Sequence, residues 1–306
     1  MSQLRALLAE YLGLRRSLGY KLERPGELLA DFVGHMEASG AMHITTEAAL
    51  GWAVVPTNAL SAWRAQRLGV VRSFARYCHA IDPFHQVPPT GLVPRGTGRP
   101  APFIFSEDQV GLLMRAAEQL RRPLRAATVA AVVGLMAVSG LRVAEVVRLD
   151  GADVDLAEGT LTVGPSKTGK SRLLPLHPST VVALHNYASV RDHWQPRAKT
   201  TRFFISSTGT ALATTNLGAA FAEALLLSGL SYPGRRPRLG DFRHSFAVGT
   251  LVSWHLAGED VNAKLPLLSA YLGHVSPAST YWYLSASPEL LSAALGRLEA
   301  SSGEQP

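Results

Sequence analysis

A single cysteine, Cys78, stands in 306 residues. A disulfide within the chain is therefore excluded, and so is a zinc site built from several cysteines. Lysine is also scarce, since arginine far outnumbers it. Long apolar runs are missing too. The most apolar segment, residues 126–141, is closed off by Arg125 and Arg142. It is short for a membrane span and predicts a buried helix. The first residues, M-S-Q-L-R-A-L-L-A-E-Y, alternate charged and apolar side chains without a secretory apolar core, which implies a cytoplasmic location. No internal repeat is found. His244, His255 and His274 match no short ligand spacing and come with no carboxylate, so no metal site is expected.

What is present is a surplus of positive charge. The formal net charge is +7 and the sequence pI about 9.8. An arginine-rich surplus favours a polyanionic partner, because the guanidinium fork matches phosphate oxygens in pairs. The length allows two domains, each with its own core.

Residues 1–81 carry apolar side chains at helical spacing throughout and predict a helical domain. Its last helix has Ser61 as the expected cap, with Trp63, Val70, Phe74 and Tyr77 on one face. Arg64, Arg72 and Arg76 spread over the other. Such a face is either simply solvated or laid against DNA. From residue 82 to 103 prolines and glycines accumulate, as in a linker. Ser106 followed by Glu107 and Asp108 then opens a second domain, residues 104–300. Helices are expected over 107–119 and 124–138, strands over 160–163, 172–176 and 203–206, and helices again from about 216 to 299. Residues 301–306 read as a disordered tail.

Several motifs invite chemistry. Residues 164–171, G-P-S-K-T-G-K-S, satisfy the phosphate-binding pattern G-x-x-x-x-G-K-[ST]. That loop works only if a helix starts at its Lys-Ser pair. Here Pro175, Pro178 and β-leaning neighbours predict a hairpin instead. Lys167 then sits at a turn, as a mobile cation or proton donor, or simply as a solvated residue. In S-G-L-R-V-A-E, Ser139 and Gly140 break a helix and Arg142 begins another, with Glu145 one turn on and able to orient it. An arginine between apolar segments must be paired or engaged with a ligand. In G-D-F-R-H-S-F, Arg243 falls in the first turn of a helix, where free N–H groups and the positive dipole end suit a phosphate. His244 beside it is as consistent with packing as with catalysis. Tyr271, Tyr281 and Tyr283 crowd around Gly273 and His274, and spacing does not choose among them.

These segments, in this order, resemble the tyrosine recombinase, or phage integrase, family. Its pattern is an arginine in G-L-R-x-x-E, a hairpin lysine, H-x-x-R-H, L-G-H, and a tyrosine nine residues after that histidine. The matching residues are Arg142, Lys167, Arg243, His274 and Tyr283. The ending T-Y-W-Y-L-S-A-S-P-E-L-L is similar to transposase-like recombinases of mobile elements. The resemblance implies a mainly α fold with a small antiparallel β-sheet: a helical, SAM-like core-binding domain and an α+β catalytic domain, closing as a C-shaped clamp on double-stranded DNA. It implies strand breakage through a 3′-phosphotyrosyl link with no cofactor, neither ATP nor metal. Implied partners are further copies of the chain, four on paired sites, and companion recombinases of the same element. One position departs: Gly240 stands where the family has the first histidine of H-x-x-R. Two other readings stand beside this one: a weakened or binding-only relative, to which that departure points, and a type IB topoisomerase-like relaxing enzyme, with similar chemistry but no site pairing.

Overall fold

A computed structural model describes residues 2–55, 57–94, 101–164 and 171–273. The chain divides into two compact units, Met1–Pro100 and Ala101–Pro306.

The first unit is helical. It contains α1 (Gln3–Ser17), α2 (Glu23–Ala38), α3 (Thr46–Val54) and α4 (Ser61–Ile81). Ser2 and Thr45 cap α1 and α3 by accepting from the N–H groups of Arg5 and Ala48. Ser61 does not cap α4: it is the first helical residue, and its hydroxyl donates to the Pro94 carbonyl instead. The core gathers Leu29, Phe32, Met36, Trp52, Val71 and Phe74, with Phe32 edge-on to Trp52 at 5.3 Å. The inward face of α4 also includes Arg67, which spacing alone does not anticipate. Its guanidinium lies 3.6 Å over the Trp52 ring, and its Nη2 donates to the Trp52 carbonyl at 3.0 Å and lies 3.8 Å from Asp31, which meets the charge. Its Nε–H is buried without an acceptor among the described residues.

Residues 82–94 belong to this unit, although their composition reads as a linker. His85 is buried and accepts from the Ile44 N–H, and the Gln86 N–H donates to the Ile44 carbonyl. The composition misleads because prolines stiffen a packed loop as readily as a tether.

The second unit is mostly helical around a small sheet. α5 (Glu107–Glu118) opens with a reciprocal cap between Ser106 and Gln109. α6 (Pro123–Ser139) runs through the core and buries Val129, Val132, Val133, Leu135 and Met136. After the single turn α7 (Val143–Val146) come β1 (Val154–Asp155), β2 (Thr160–Val163) and β3 (Arg172–Pro175), paired antiparallel in that order. Val163 lies opposite Arg172, so residues 164–171 join two strands of a ladder. No helix follows Lys170, and the nucleotide-binding reading of this stretch is excluded. The two-residue β1 is too short to show a period. Residues 203–206 form no strand; Ile205 makes one isolated bridge with Ala211. Phe203, Phe204 and Ile205 are all buried instead of alternating. The Tyr187 hydroxyl replaces a ladder partner, accepting from the Ile205 N–H and donating to the Phe203 carbonyl.

α8 (Pro178–Trp194), α9 (Thr214–Leu227), α10 (Asp241–Leu256) and α11 (Val261–Leu272) complete the described unit. Residues 228–240 between α9 and α10 are not helical, in keeping with their two prolines and three glycines. The expected helix up to 299 and the tail at 301–306 lie, past Gly273, outside the described residues. Among the described residues, no helix is long and apolar enough to cross a membrane.

Phe242 anchors α10. Fully buried, it stacks on Phe105 at 4.3 Å and meets Phe221 edge-on at 5.8 Å. Phe242→Ala is expected to destabilise the protein by about 3–5 kcal/mol. Val138→Ala, at a side chain 51% exposed, should change stability by less than about 0.5 kcal/mol. Urea unfolding of the two variants checks both figures.

Candidate active site

Three elements converge where α6 ends. Gly140 terminates α6 with φ +60°, and a β-carbon there would come within 2.6 Å of Phe246 and 2.9 Å of Leu272. Glycine is required by both the turn and the close approach. The turn puts Leu141 in the core and makes Arg142 the N-cap of α7.

From that position Arg142 makes four contacts. Its backbone N–H donates to Glu145 Oε2 at 2.9 Å and its Nη1 to Oε1 at 2.8 Å. Nη2 donates to the Gly273 carbonyl at 3.1 Å, and Nη1 approaches that of Leu272 at 3.5 Å. Arg243, in the first turn of α10, donates from Nη1 to the Gly140 carbonyl at 2.8 Å and from Nη2 to the Leu272 carbonyl at 2.7 Å. Two arginines far apart in sequence thus meet at the C-terminal carbonyls of α11. Those carbonyls have no partner within the helix and lie at its negative dipole end, so they attract and align cations. Arg243 is 7% exposed. The Arg142 side chain, 39% exposed, presents an edge to the outside.

A third arginine joins them. Arg172, the first residue of β3, forms a forked pair with Glu145: Nη2 to Oε2 at 2.9 Å and Nη1 to Oε1 at 3.3 Å. Sequence reading passed over it, yet a signal was available. Residues 172 and 174 share a strand face, and Leu174 points into the core, so a charged residue at 172 needs a buried partner. Burial pushes the Glu145 carboxyl up. The hydrogen bonds from Arg172 and from the Arg142 backbone, with the charge of Arg172 and the Arg142 guanidinium, outweigh that and hold it below its ordinary value.

Gly240, the N-cap of α10, has φ −62°, and a β-carbon there would meet nothing within 4 Å among the described residues. The position imposes no need for glycine. Asp241 behind it is buried and accepts from Arg235 Nη2 and from the Arg238 N–H, both at 2.7 Å, which fixes the start of α10. His244 is half-buried on the same turn. Tyr271 stacks on Phe246 at 5.4 Å; burial pushes its phenol up, against the pull of Arg172. It is a packing residue, poorly set to ionise. Lys167, His274, Tyr281 and Tyr283 lie outside the described residues, although Gly273 leads directly into His274.

In the first unit, Arg72 donates to the carbonyls of Pro88 and Pro89 at 2.7 and 2.8 Å, Arg64 donates to that of Thr57, and Arg76 is exposed.

The lowered Glu145 pKa has a definite sign in stability. Its contribution is complete above the unfolded value, near 4.5, and is lost as pH falls through the lower folded value. The Tm of the wild-type protein should therefore drop more steeply than that of Glu145→Gln between about pH 5 and pH 3. Parallel melts across that window check this.

Residues 104–289 match the model of the phage integrase family. A protein of Sinorhizobium fredii (strain NBRC 101917 / NGR234), named as an integrase/recombinase, y4rB, is 42% identical over 98% of this chain and 98% of its own length. Among solved structures, the Tn1549 transposon integrase in complex with transposon right-end DNA aligns with a TM-score of 0.68 at 15% identity, over 98% of this chain and 100% of that one. A lambda integrase tetramer bound to a Holliday junction aligns with a TM-score of 0.58 at 19% identity, over 90% of this chain and 78% of that one. At these identities the structural likeness is one of fold.

Proposed function

The chain belongs to the phage integrase family, and we propose on that footing that its arginine cluster holds the scissile phosphate while Tyr283 attacks it. The protein is a tyrosine recombinase, a DNA strand transferase whose partner is double-stranded DNA. The observation that carries the site assignment is the convergence of Arg142 and Arg243 on the carbonyls of Leu272 and Gly273, the two residues before His274.

The chemistry follows from the residue types. A phenol with an ordinary pKa of about 10 needs a charged setting to act near neutral pH. Arg142 and Arg243 supply it by gripping the non-bridging oxygens and offsetting the charge that grows as the fifth oxygen bonds to phosphorus. The Tyr283 phenol gives its proton to water as its oxygen forms the new P–O bond, and the bond to the 5′-oxygen breaks. Lys167 gives that oxygen its proton, and His274 donates a hydrogen bond to the phosphate. One phosphodiester is exchanged for another, so the 5′-hydroxyl of a partner strand reverses the step and completes the transfer. Four protomers on two paired sites carry out the exchange, in the cytoplasm. The helical first unit serves as the core-binding domain, with Arg64, Arg72 and Arg76 on its DNA-facing helix.

A nicked suicide substrate should trap the protein covalently on DNA, and Tyr283→Phe should abolish trapping. Arg142→Met and Arg243→Met should each slow it by about 10²–10³-fold. Tight DNA binding with no covalent species would favour the binding-only reading instead. Because a β-carbon at 240 meets no neighbour among the described residues and its φ of −62° suits any side chain, Gly240→His is expected to fold normally. It should raise the single-turnover cleavage rate by a factor within the roughly 10²–10⁴-fold range of general acid–base help. An unchanged rate would show that the position carries no such task in this protein.

A further inference from the structure

Glu145 is shared between two arginines, and only one of them has a role in the reaction described above. Its buried carboxylate receives four N–H groups: the backbone and Nη1 of Arg142, and Nη1 and Nη2 of Arg172. Glu145 is 5% exposed and the Arg172 side chain 13%. Water therefore does little to screen either charge. The three side chains sum to +1. Without Arg172, Arg142 and Glu145 would sum to zero.

We propose that Arg172 is a positioning residue of the strand-transfer reaction: it takes up the charge of Glu145, so that Arg142 keeps its positive charge and its outward edge for the phosphate. This rests on the assignment of Arg142 as a phosphate ligand. A structural role alone accounts poorly for the arrangement. Buried arginine–glutamate–arginine triads are often no more stable than apolar side chains of similar volume. Arg172 also keeps its Nε–H buried without an acceptor among the described residues, which costs stability. Its guanidinium lies on the cap of α11, where a β-carbon at position 273 would come within 2.8 Å of Nη1. The same group thus touches both the carboxylate that orients Arg142 and the glycine whose carbonyl Arg142 grips.

The test is a charge-balance cycle in single-turnover cleavage of a nicked suicide substrate at saturating protein. Arg172→Met should cleave about 10–100-fold more slowly, the range for groups that orient a functional ligand. DNA affinity, set by contacts elsewhere, should be nearly unchanged. Arg172→Lys keeps the charge without the fork and should fall between the two. The double variant Arg172→Met/Glu145→Gln, which returns the sum to +1, should cleave at least about fivefold faster than Arg172→Met alone. A residue needed only for packing would make the double variant the slower one. That result, or wild-type cleavage by Arg172→Met, would overturn the proposal. A second readout needs no cleavage. The rise in Tm that inorganic phosphate gives the wild-type protein should vanish in Arg142→Met, weaken in Arg172→Met and recover in the double variant. If the wild-type protein forms no covalent species, the recombinase assignment of the site fails, while the phosphate series still decides the role of Arg172.

Discussion

The Glu145 carboxylate is the point on which the described site turns. It is buried, yet it stays ionised because four N–H groups from two arginines meet it. A buried charge without such partners would be neutralised or expelled. Through this one group the end of α6, the start of α7 and the first residue of β3 are tied together. Arg142 is oriented from behind by a carboxylate and in front by helix carbonyls, which leaves one edge facing outward. A ligand bound there meets an arginine already ordered, so little side-chain entropy remains to be lost on binding.

The backbone prepares this arrangement before any side chain acts. Gly140 must be glycine, because the left-handed turn brings Phe246 and Leu272 within reach of where a β-carbon would sit. That closeness lets the Gly140 carbonyl accept from Arg243 while the Leu272 carbonyl accepts from the same guanidinium. α10 and α11 pack on each other through Val248, Leu251, Leu265 and Leu268, so the acceptors are carried on a rigid apolar base. Packing and electrostatics are therefore one design. The helix end that would otherwise leave carbonyls unsatisfied is the one that aligns the cations.

Much of this was legible in the sequence, for identifiable reasons. α5 and α6 show in apolar spacing and in a capping signal, and β2 and β3 show in short β-branched and leucine-rich runs around a glycine-rich turn. Arg142 with Glu145, and Arg243 near a helix start, follow from local spacing. Arg172 did not emerge, because its partner is 27 residues away and strand pairing is a tertiary fact. Arg67 escaped for the same reason: only the fold brings Trp52 beneath it. Residues 82–94 were misjudged because composition reports stiffness and not attachment. In residues 203–206 the backbone partners are supplied by a tyrosine hydroxyl, which no local period records.

Gly240 fits this picture as a position on which the described packing does not depend: among the described residues a β-carbon there meets nothing within 4 Å. The start of α10 is secured independently by Asp241, which is held by Arg235 and the Arg238 N–H. Arg243 therefore keeps its place whatever stands at 240. Fixed cations aimed at developing charge are usually the largest single contribution to such a reaction, and proton transfer help is added to it. On the proposed reading, proton-transfer help from a residue at 240 would add to the electrostatic stabilisation that the arginines, held by Glu145 and the end of α11, supply.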